Sequence, residues 1–77
     1  MINKEEAIIL ATKATDLLSK KEGKFTLTLH DDTIIDVNVL NINSSLKDGN
    51  FECNLNAFTN NINESKNYNI YDLKDIK

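Results

Sequence analysis

Cys53 and His30 are the chain's candidates for nucleophilic or zinc chemistry, because thiol and imidazole groups serve in both. Each is the single residue of its type in the sequence. A thiol and an imidazole form a catalytic pair only when they meet in space, and a structural zinc site needs four such ligands. The alternation of apolar residues puts Cys53 on the core side of its strand and His30 on the opposite side of another. We therefore expect a buried structural cysteine and an exposed histidine, with no catalytic residue and no metal site.

Carboxylates gather in the segment that holds Asp31, Asp32 and Asp36. Their oxygens would suit a hard cation, but the Asp-x-Asp-x-Asp-Gly spacing of a calcium loop is missing, so a solvated turn is the better interpretation. Asp72 is interpreted as a turn cap. With only two glycines, the chain has no glycine-rich phosphate loop. The sequence predicts a protein that is not an enzyme and uses no cofactor.

Length and charge exclude several classes of function. The 77 residues suffice for one domain over 1–77, which is too short for a two-domain enzyme. The net charge is −3, and the cations are scattered lysines with no arginine, so direct nucleic-acid binding is disfavoured.

Composition also bears on the compartment. One cysteine permits no intrachain disulfide and fits a reducing environment. The sequence has no apolar run of membrane-spanning length and no signal-peptide pattern. Enrichment in Asn, Ile and Lys is typical of AT-rich coding. We expect a cytoplasmic protein of a bacterial cell or of a phage-infected host, with no membrane partner.

An amphipathic helix is predicted over residues 4–21. Asn3 and Glu6 have the spacing of a capping box, and Gly23 suits the left-handed residue that ends a helix. Ile9 lies nearly opposite the apolar stripe, which leaves two alternatives: a partly exposed side chain that touches a loop, or a contact to a partner. The stripe consists of Ala7, Leu10, Ala11, Ala14, Leu17 and Leu18.

Residues 24–77 alternate as strands do, and the first hairpin can be registered by parity. Pairing Leu27 with Val37 and Phe25 with Val39 keeps the apolar side chains on one face. That register needs an odd-numbered loop, of three or five residues, around Asp31 to Thr33.

The second hairpin has a clearer signal, the Asp48-Gly49 pair of a two-residue turn. Such a turn pairs Leu46 with Phe51, which makes the even-numbered residues beyond position 40 face the core. Before position 39 the core face is odd-numbered. This change of phase predicts a bulge or sharp bend near Val39 and Leu40.

The C-terminal third is predicted to hold a polar loop over 59–67 and a fourth strand that begins with Tyr68 and Ile70. A tight helical turn then leads into a short last strand. Leu73 and Ile76 would close the bottom of the core. Tyr71 is expected either as an exposed interaction anchor or packed beneath the helix.

Two segments resemble the small barrels of the Sm-like and SH3-like families. Residues 27–39 look like the first Sm motif, and residues 70–76 look like the close of such barrels. Two motif glycines are replaced, the turn glycine by Asp32 and the strand glycine by Asn38, and the motif of the Sm RNA pocket is absent. The resemblance implies an α+β fold, in which an N-terminal helix precedes a bent, five-stranded antiparallel meander that forms a small barrel over about 24–77.

The function expected from these observations is that of a non-enzymatic protein-binding module. Such a protein, encoded by a phage or mobile element, would regulate or inhibit a partner by occupying its surface. One alternative is an Sm-like oligomer that binds RNA or a nucleotide ligand, and another is a structural subunit of a larger assembly. The partner is expected to be another protein or a second copy. The candidate partner-binding residues are Ile9, Asp31, Asp32, Ile34, Asp36 and Tyr71.

Overall fold

The fold is one helix followed by five antiparallel strands in a single sheet, as expected for an α+β chain. The structure is a computed structural model that describes residues 2–59 and 64–77. The elements are α1 (Lys4–Lys20), β1 (Lys24–Leu29), β2 (Ile34–Lys47), β3 (Asn50–Thr59), β4 (Ser65–Asn69), a 3-10 turn (Ile70–Asp72) and β5 (Leu73–Ile76). The strand order is β4-β3-β2-β1-β5.

The predicted capping box at the start of α1 is confirmed. The Asn3 side chain accepts a hydrogen bond from the Glu6 backbone N–H at 2.9 Å, and the Glu6 carboxylate accepts from the Asn3 N–H at 3.2 Å. These bonds satisfy two groups that have no partner within a helix. The helix ends at Lys20, one residue before the predicted end.

Replacing the cap tests its energetic role. We expect Asn3→Ala to lower the free energy of unfolding by about 1 kcal/mol, because the N–H of Glu6 then loses its acceptor. Urea unfolding followed by circular dichroism measures this difference. Asn3→Asp is the control, since aspartate caps as well as asparagine and should leave the midpoint nearly unchanged.

The first hairpin has the predicted odd loop but a different register. Leu27 lies opposite Ile35 and Phe25 opposite Val37, so the predicted pairing of Leu27 with Val37 is wrong by two residues. A shift of two preserves parity, and the same side chains still face the core.

The loop between the two strands has three residues, numbers 30–32. Its ends are joined by a hydrogen bond from the Leu29 N–H to the Thr33 carbonyl at 2.9 Å. Asp32 has a φ of 68°, and a left-handed residue of this kind closes three-residue hairpin loops. Asp32 therefore adopts the left-handed conformation for which glycine is the usual residue.

The second hairpin and the bend are confirmed. Asp48 and Gly49 form the two-residue turn, with φ angles of 54° and 79°, and Leu46 lies opposite Phe51. The register between β2 and β3 shifts between Val39 and Asn41, as the predicted bulge requires. β2 thus bends and pairs with β1 near its start and with β3 over most of its length.

The core lies between α1 and the inner face of the sheet. Leu73 and Ile76 are both fully buried, as predicted. The other buried hydrophobic residues are Ala7, Leu10, Ala11, Ala14, Phe25, Leu27, Val37, Val39, Cys53, Leu55, Ala57, Tyr68 and Ile70. In the described part of the chain β4 and β5 pair with one neighbour each, so the sheet is open and the expected barrel is not closed.

The fourth strand starts earlier than predicted. It begins at Ser65, so the polar loop expected over 59–67 is too long at its C-terminal end, and Ile70 belongs to the 3-10 turn and not to a strand. Thr59 still belongs to β3. The central part of that predicted loop, residues 60–63, lies outside the described residues.

Candidate partner-binding surface

Ile34 is the centre of an exposed patch at the start of β2. Its side chain is 67% exposed, and it lies opposite Thr28 on the outer face of the sheet, away from α1. Asp36 is two residues along the same strand and therefore on the same face. Its carboxylate accepts a hydrogen bond from the Thr26 hydroxyl at 3.1 Å. The register of β1 against β2 thus presents an apolar side chain beside a carboxylate.

The loop before β2 adds the other two predicted carboxylates. The Asp31 carboxylate accepts a hydrogen bond from the Thr33 N–H at 3.0 Å, and bonds from the Thr33 hydroxyl and backbone lower the pKa of Asp31. Asp32 pairs with Lys74 of β5, and this bonded carboxylate raises the pKa of the Lys74 ammonium. Of the three carboxylates, Asp32 therefore has its charge offset by a neighbour.

The charges of Asp31 and Asp36 are not offset in this way. Neither takes part in any ion pair within residues 2–59 and 64–77. Both side chains are exposed and lie within three positions of Ile34 in the sequence. We call Asp31, Ile34 and Asp36 the turn patch, an apolar side chain with two carboxylates that form no ion pair within the described residues. Asp36 lines an open pocket together with Lys21, Lys24 and Lys77.

Tyr71 is held in place by three hydrogen bonds. Its hydroxyl donates to the Phe51 carbonyl at 2.7 Å, and its N–H donates to the Asn69 side chain at 3.0 Å. The Tyr71 carbonyl lies 3.0 Å from Nε2 of His30. The tyrosine is half-buried against the core, and it links the 3-10 turn to β3 and to the β1–β2 loop.

Ile9 is 67% exposed on α1. Because α1 covers the inner face of the sheet and Ile34 is on the outer face, the two isoleucines belong to opposite layers of the molecule. One helical turn from Ile9, the Lys13 ammonium lies 3.1 Å from the Asp75 carboxylate and ties α1 to β5. Burial opposes ionisation of Asp75, but bonds from Lys13 and from the Ile76 N–H outweigh it and lower the pKa of Asp75.

Cys53 and His30 differ in their burial. Cys53 is buried in β3, as predicted, and burial raises the pKa of its thiol. His30 is exposed in the loop after β1, as predicted. Within the described ranges, no three Cys, His, Asp or Glu side chains come together as a metal site would require. The described residues also include no helix with the length and apolarity of a membrane span.

Two leucines of β2 are exposed. Leu46 was predicted to face the core and does lie on the inner side of the sheet, opposite Phe51, but it is 67% exposed. Leu40, at the bulge, is 48% exposed. Their exposure depends on which elements reach that end of the sheet, which a strand pattern does not encode.

An open groove of about 500 Å³ runs along the edge of β3 beyond the end of β4. Asn50, Cys53, Asn69 and Tyr71 are among the residues that line it, and the ammonium of Lys4 reaches the Gly49 carbonyl nearby at 3.0 Å. Three of the lining residues are asparagines, and the others include the titratable side chains of Lys4, Glu52, Cys53 and Tyr71.

Comparison with protein-family models, with curated proteins and with solved structures finds no match to this chain.

Proposed function

We propose that this chain is a non-enzymatic protein-binding module that regulates or inhibits another protein by occupying its surface, and that the turn patch makes the contact. The observation that carries the proposal is the exposure of Ile34, 67%, beside the unpaired carboxylates of Asp31 and Asp36. A large apolar side chain in such a setting is characteristic of a docking point, where an anchor enters a pocket and charges set the approach.

The patch selects for a partner of complementary chemistry. Two carboxylates on a chain of net charge −3 favour a basic surface and speed its approach at low ionic strength. The apolar anchor then requires a small hydrophobic pocket within that basic surface. The antiparallel pairing of β1 with β2 holds Ile34 and Asp36 on a rigid element, so little ordering is needed on binding.

The test is a binding measurement with two matched variants. We expect Ile34→Asp to weaken binding to a basic partner recovered from the native host by at least about tenfold, because it removes the anchor and buries a charge. Leu46→Asp is the matched control, since Leu46 has the same 67% exposure on the same strand but lies at its other end. Calorimetry of the purified pair measures both, and circular dichroism checks that both variants are folded.

Other outcomes would redirect the proposal. If Ile34→Asp binds as the parent does and Ile9→Asp does not, the contact surface is on α1 and the turn patch is the wrong assignment. If binding is insensitive to salt, the carboxylates of Asp31 and Asp36 do not steer the partner.

A second candidate is the Sm-like oligomer that binds RNA. It is supported by the leading helix, by the bent β2 and by the 3-10 turn before β5, a combination that the Sm-like resemblance implies. A ring of six or seven copies in light scattering, together with salt-sensitive retention of RNA, would favour this candidate over the first.

A further inference from the structure

The far half of β2 has a free edge. β1 pairs with β2 only as far as Asn38, whereas β3 pairs with β2 as far as Lys47. The last contact on the β1 side is the hydrogen bond from the Val39 N–H to the Gly23 carbonyl, at 2.7 Å. Beyond it, over residues 40–47, no strand of the described chain lies on that side of β2.

The hydroxyl of Tyr71 identifies which backbone groups point outward from this edge. It donates to the Phe51 carbonyl, which must therefore point away from β2. Phe51 and Leu46 are opposite each other, so they form a pair without mutual backbone bonds, and the N–H and C=O of Leu46 point away from β3. By alternation, the same groups of Ile42 and Ser44 also point outward.

The side chains along this edge do little to protect it. Residues 40–46 include no charged side chain, no proline and no glycine, and Lys47 at the end of β2 is the one charged residue of the edge. Exposed edges normally carry lysines, prolines or inward charges that prevent pairing with another strand. An uncharged edge with free backbone groups is a template for one more strand.

We propose that this edge pairs antiparallel with the same edge of a second copy of the chain, about a twofold axis at Ser44. In that register Ser44 lies opposite Ser44 of the second copy, and Ile42 lies opposite Leu46. These are the residues whose backbone groups point outward, so each pair exchanges both hydrogen bonds. The two sheets join into one continuous sheet.

The symmetric register explains the exposure of Leu46. Ile42 is half-buried on the inner side of the sheet, opposite the buried Leu55. Leu46 of the second copy would lie on the other side of Ile42 and extend this apolar row. Pairing would therefore cover the side chain of Leu46, which is 67% exposed in a single copy. An unrelated strand would need the same spacing of apolar residues, whereas a second copy supplies it by symmetry.

Charge does not oppose a second copy at this place. Each copy has a net charge of −3, so two copies repel over most of their surface. Apart from Lys47 the free edge is uncharged, and Lys47 would lie opposite Asn41 of the second copy, so like charges do not meet across the seam. The turn patch, at the opposite end of β2, stays exposed in the dimer.

Sedimentation equilibrium of the parent chain and of two variants tests the proposal. The parent is expected to show a monomer–dimer equilibrium. Leu46→Lys, which sets a cation against Ile42, and Ser44→Pro, which removes an outward N–H, are each expected to raise the dimer dissociation constant at least about tenfold. Ile34→Lys is the matched control, with equal exposure on the same strand, and should dimerise as the parent does.

Amide hydrogen exchange gives an independent readout for the same seam. The amides of Ile42, Ser44 and Leu46 should be protected in concentrated solution and exchange faster on dilution, whereas those of Asn43 and Ser45 are protected by β3 at both concentrations. A parent that stays monomeric at millimolar concentration overturns the proposal. So does a dimer that both variants leave intact, because its interface must then be elsewhere.

Discussion

Gly23→Ala is expected to lower the free energy of unfolding by about 2–4 kcal/mol, which is most of the stability of the domain. Gly23 has a φ of 83°, a conformation that side chains rarely adopt. A Cβ atom there would also lie 2.5 Å from the carbonyl oxygen of Val39, which belongs to the backbone of β2. The backbone at Gly23 cannot easily shift away, because its own carbonyl accepts the 2.7 Å hydrogen bond from the Val39 N–H.

The expected size of this effect follows from adding two costs. A left-handed conformation in a residue other than glycine costs about 1–3 kcal/mol, and relief of the backbone clash would cost the hydrogen bond at the helix–strand junction as well, about 1 kcal/mol. A domain of this length has a stability of roughly 3–5 kcal/mol from its core. The two costs together, about 2–4 kcal/mol, equal most of this stability.

Gly49→Ala separates the two costs. Gly49 has a similar φ of 79°, but a Cβ atom there meets nothing within 4 Å. It should therefore lower the free energy of unfolding by only about 1–2 kcal/mol, through conformation alone. Urea unfolding of both variants, followed by circular dichroism, measures the difference. Equal losses would mean that the approach of Gly23 to Val39 is not a close one in solution.

The features that depend on neighbouring residues could be predicted from the sequence. The register of the paired strands could be predicted only in part. The capping box at Asn3 and the Asp48-Gly49 turn depend on residues within a few positions of each other, and both are confirmed. The bulge near Leu40 was visible because it interrupts an alternation. The first hairpin was misregistered by two residues, since a shift of two leaves the alternation unchanged and parity alone cannot distinguish the registers.

In the candidate site, too, the features that are local in sequence could be predicted and the contacts between distant residues could not. The cluster of Asp31 and Asp36 around Ile34 is local in sequence, so composition and strand parity were enough to suggest it. The pairing of Asp32 with Lys74 joins residues 42 positions apart. The bond from Tyr71 to the Phe51 carbonyl spans 20 positions. Such contacts depend on which strands become neighbours, and the spacing of residue types does not contain that information.

Exposure at the far end of β2 is the clearest case of this limit. Sequence alternation assigns Leu46 and Leu55 to the same inner face, and the register places Ile42 opposite Leu55 and Phe51 opposite Leu46. Yet Leu55 is fully buried and Leu46 is 67% exposed. At the hairpin end, β1 no longer pairs with β2, and the Lys4 side chain at the start of α1 reaches the Gly49 carbonyl without covering Leu46.

Leu55→Ala and Leu46→Ala should therefore differ greatly in stability, although the two leucines share one face of one hairpin. Leu55→Ala removes a fully buried side chain and leaves a cavity, at a cost of about 2–5 kcal/mol. Leu46→Ala removes a side chain that is largely in water already, and the expected change is within about 0.5 kcal/mol. Chemical unfolding at the lowest practical protein concentration measures both values without a contribution from self-association.

Leu55→Val keeps this comparison informative if Leu55→Ala fails to fold. Loss of one methylene from the same position should cost about 1 kcal/mol, which leaves a folded majority that can be measured. Equal and small losses for Leu55→Val and Leu46→Ala would mean that the core does not close around Leu55. A large loss for Leu46→Ala would mean that the end of the hairpin is covered in the monomer, and the free edge of β2 would then be unavailable to a second copy.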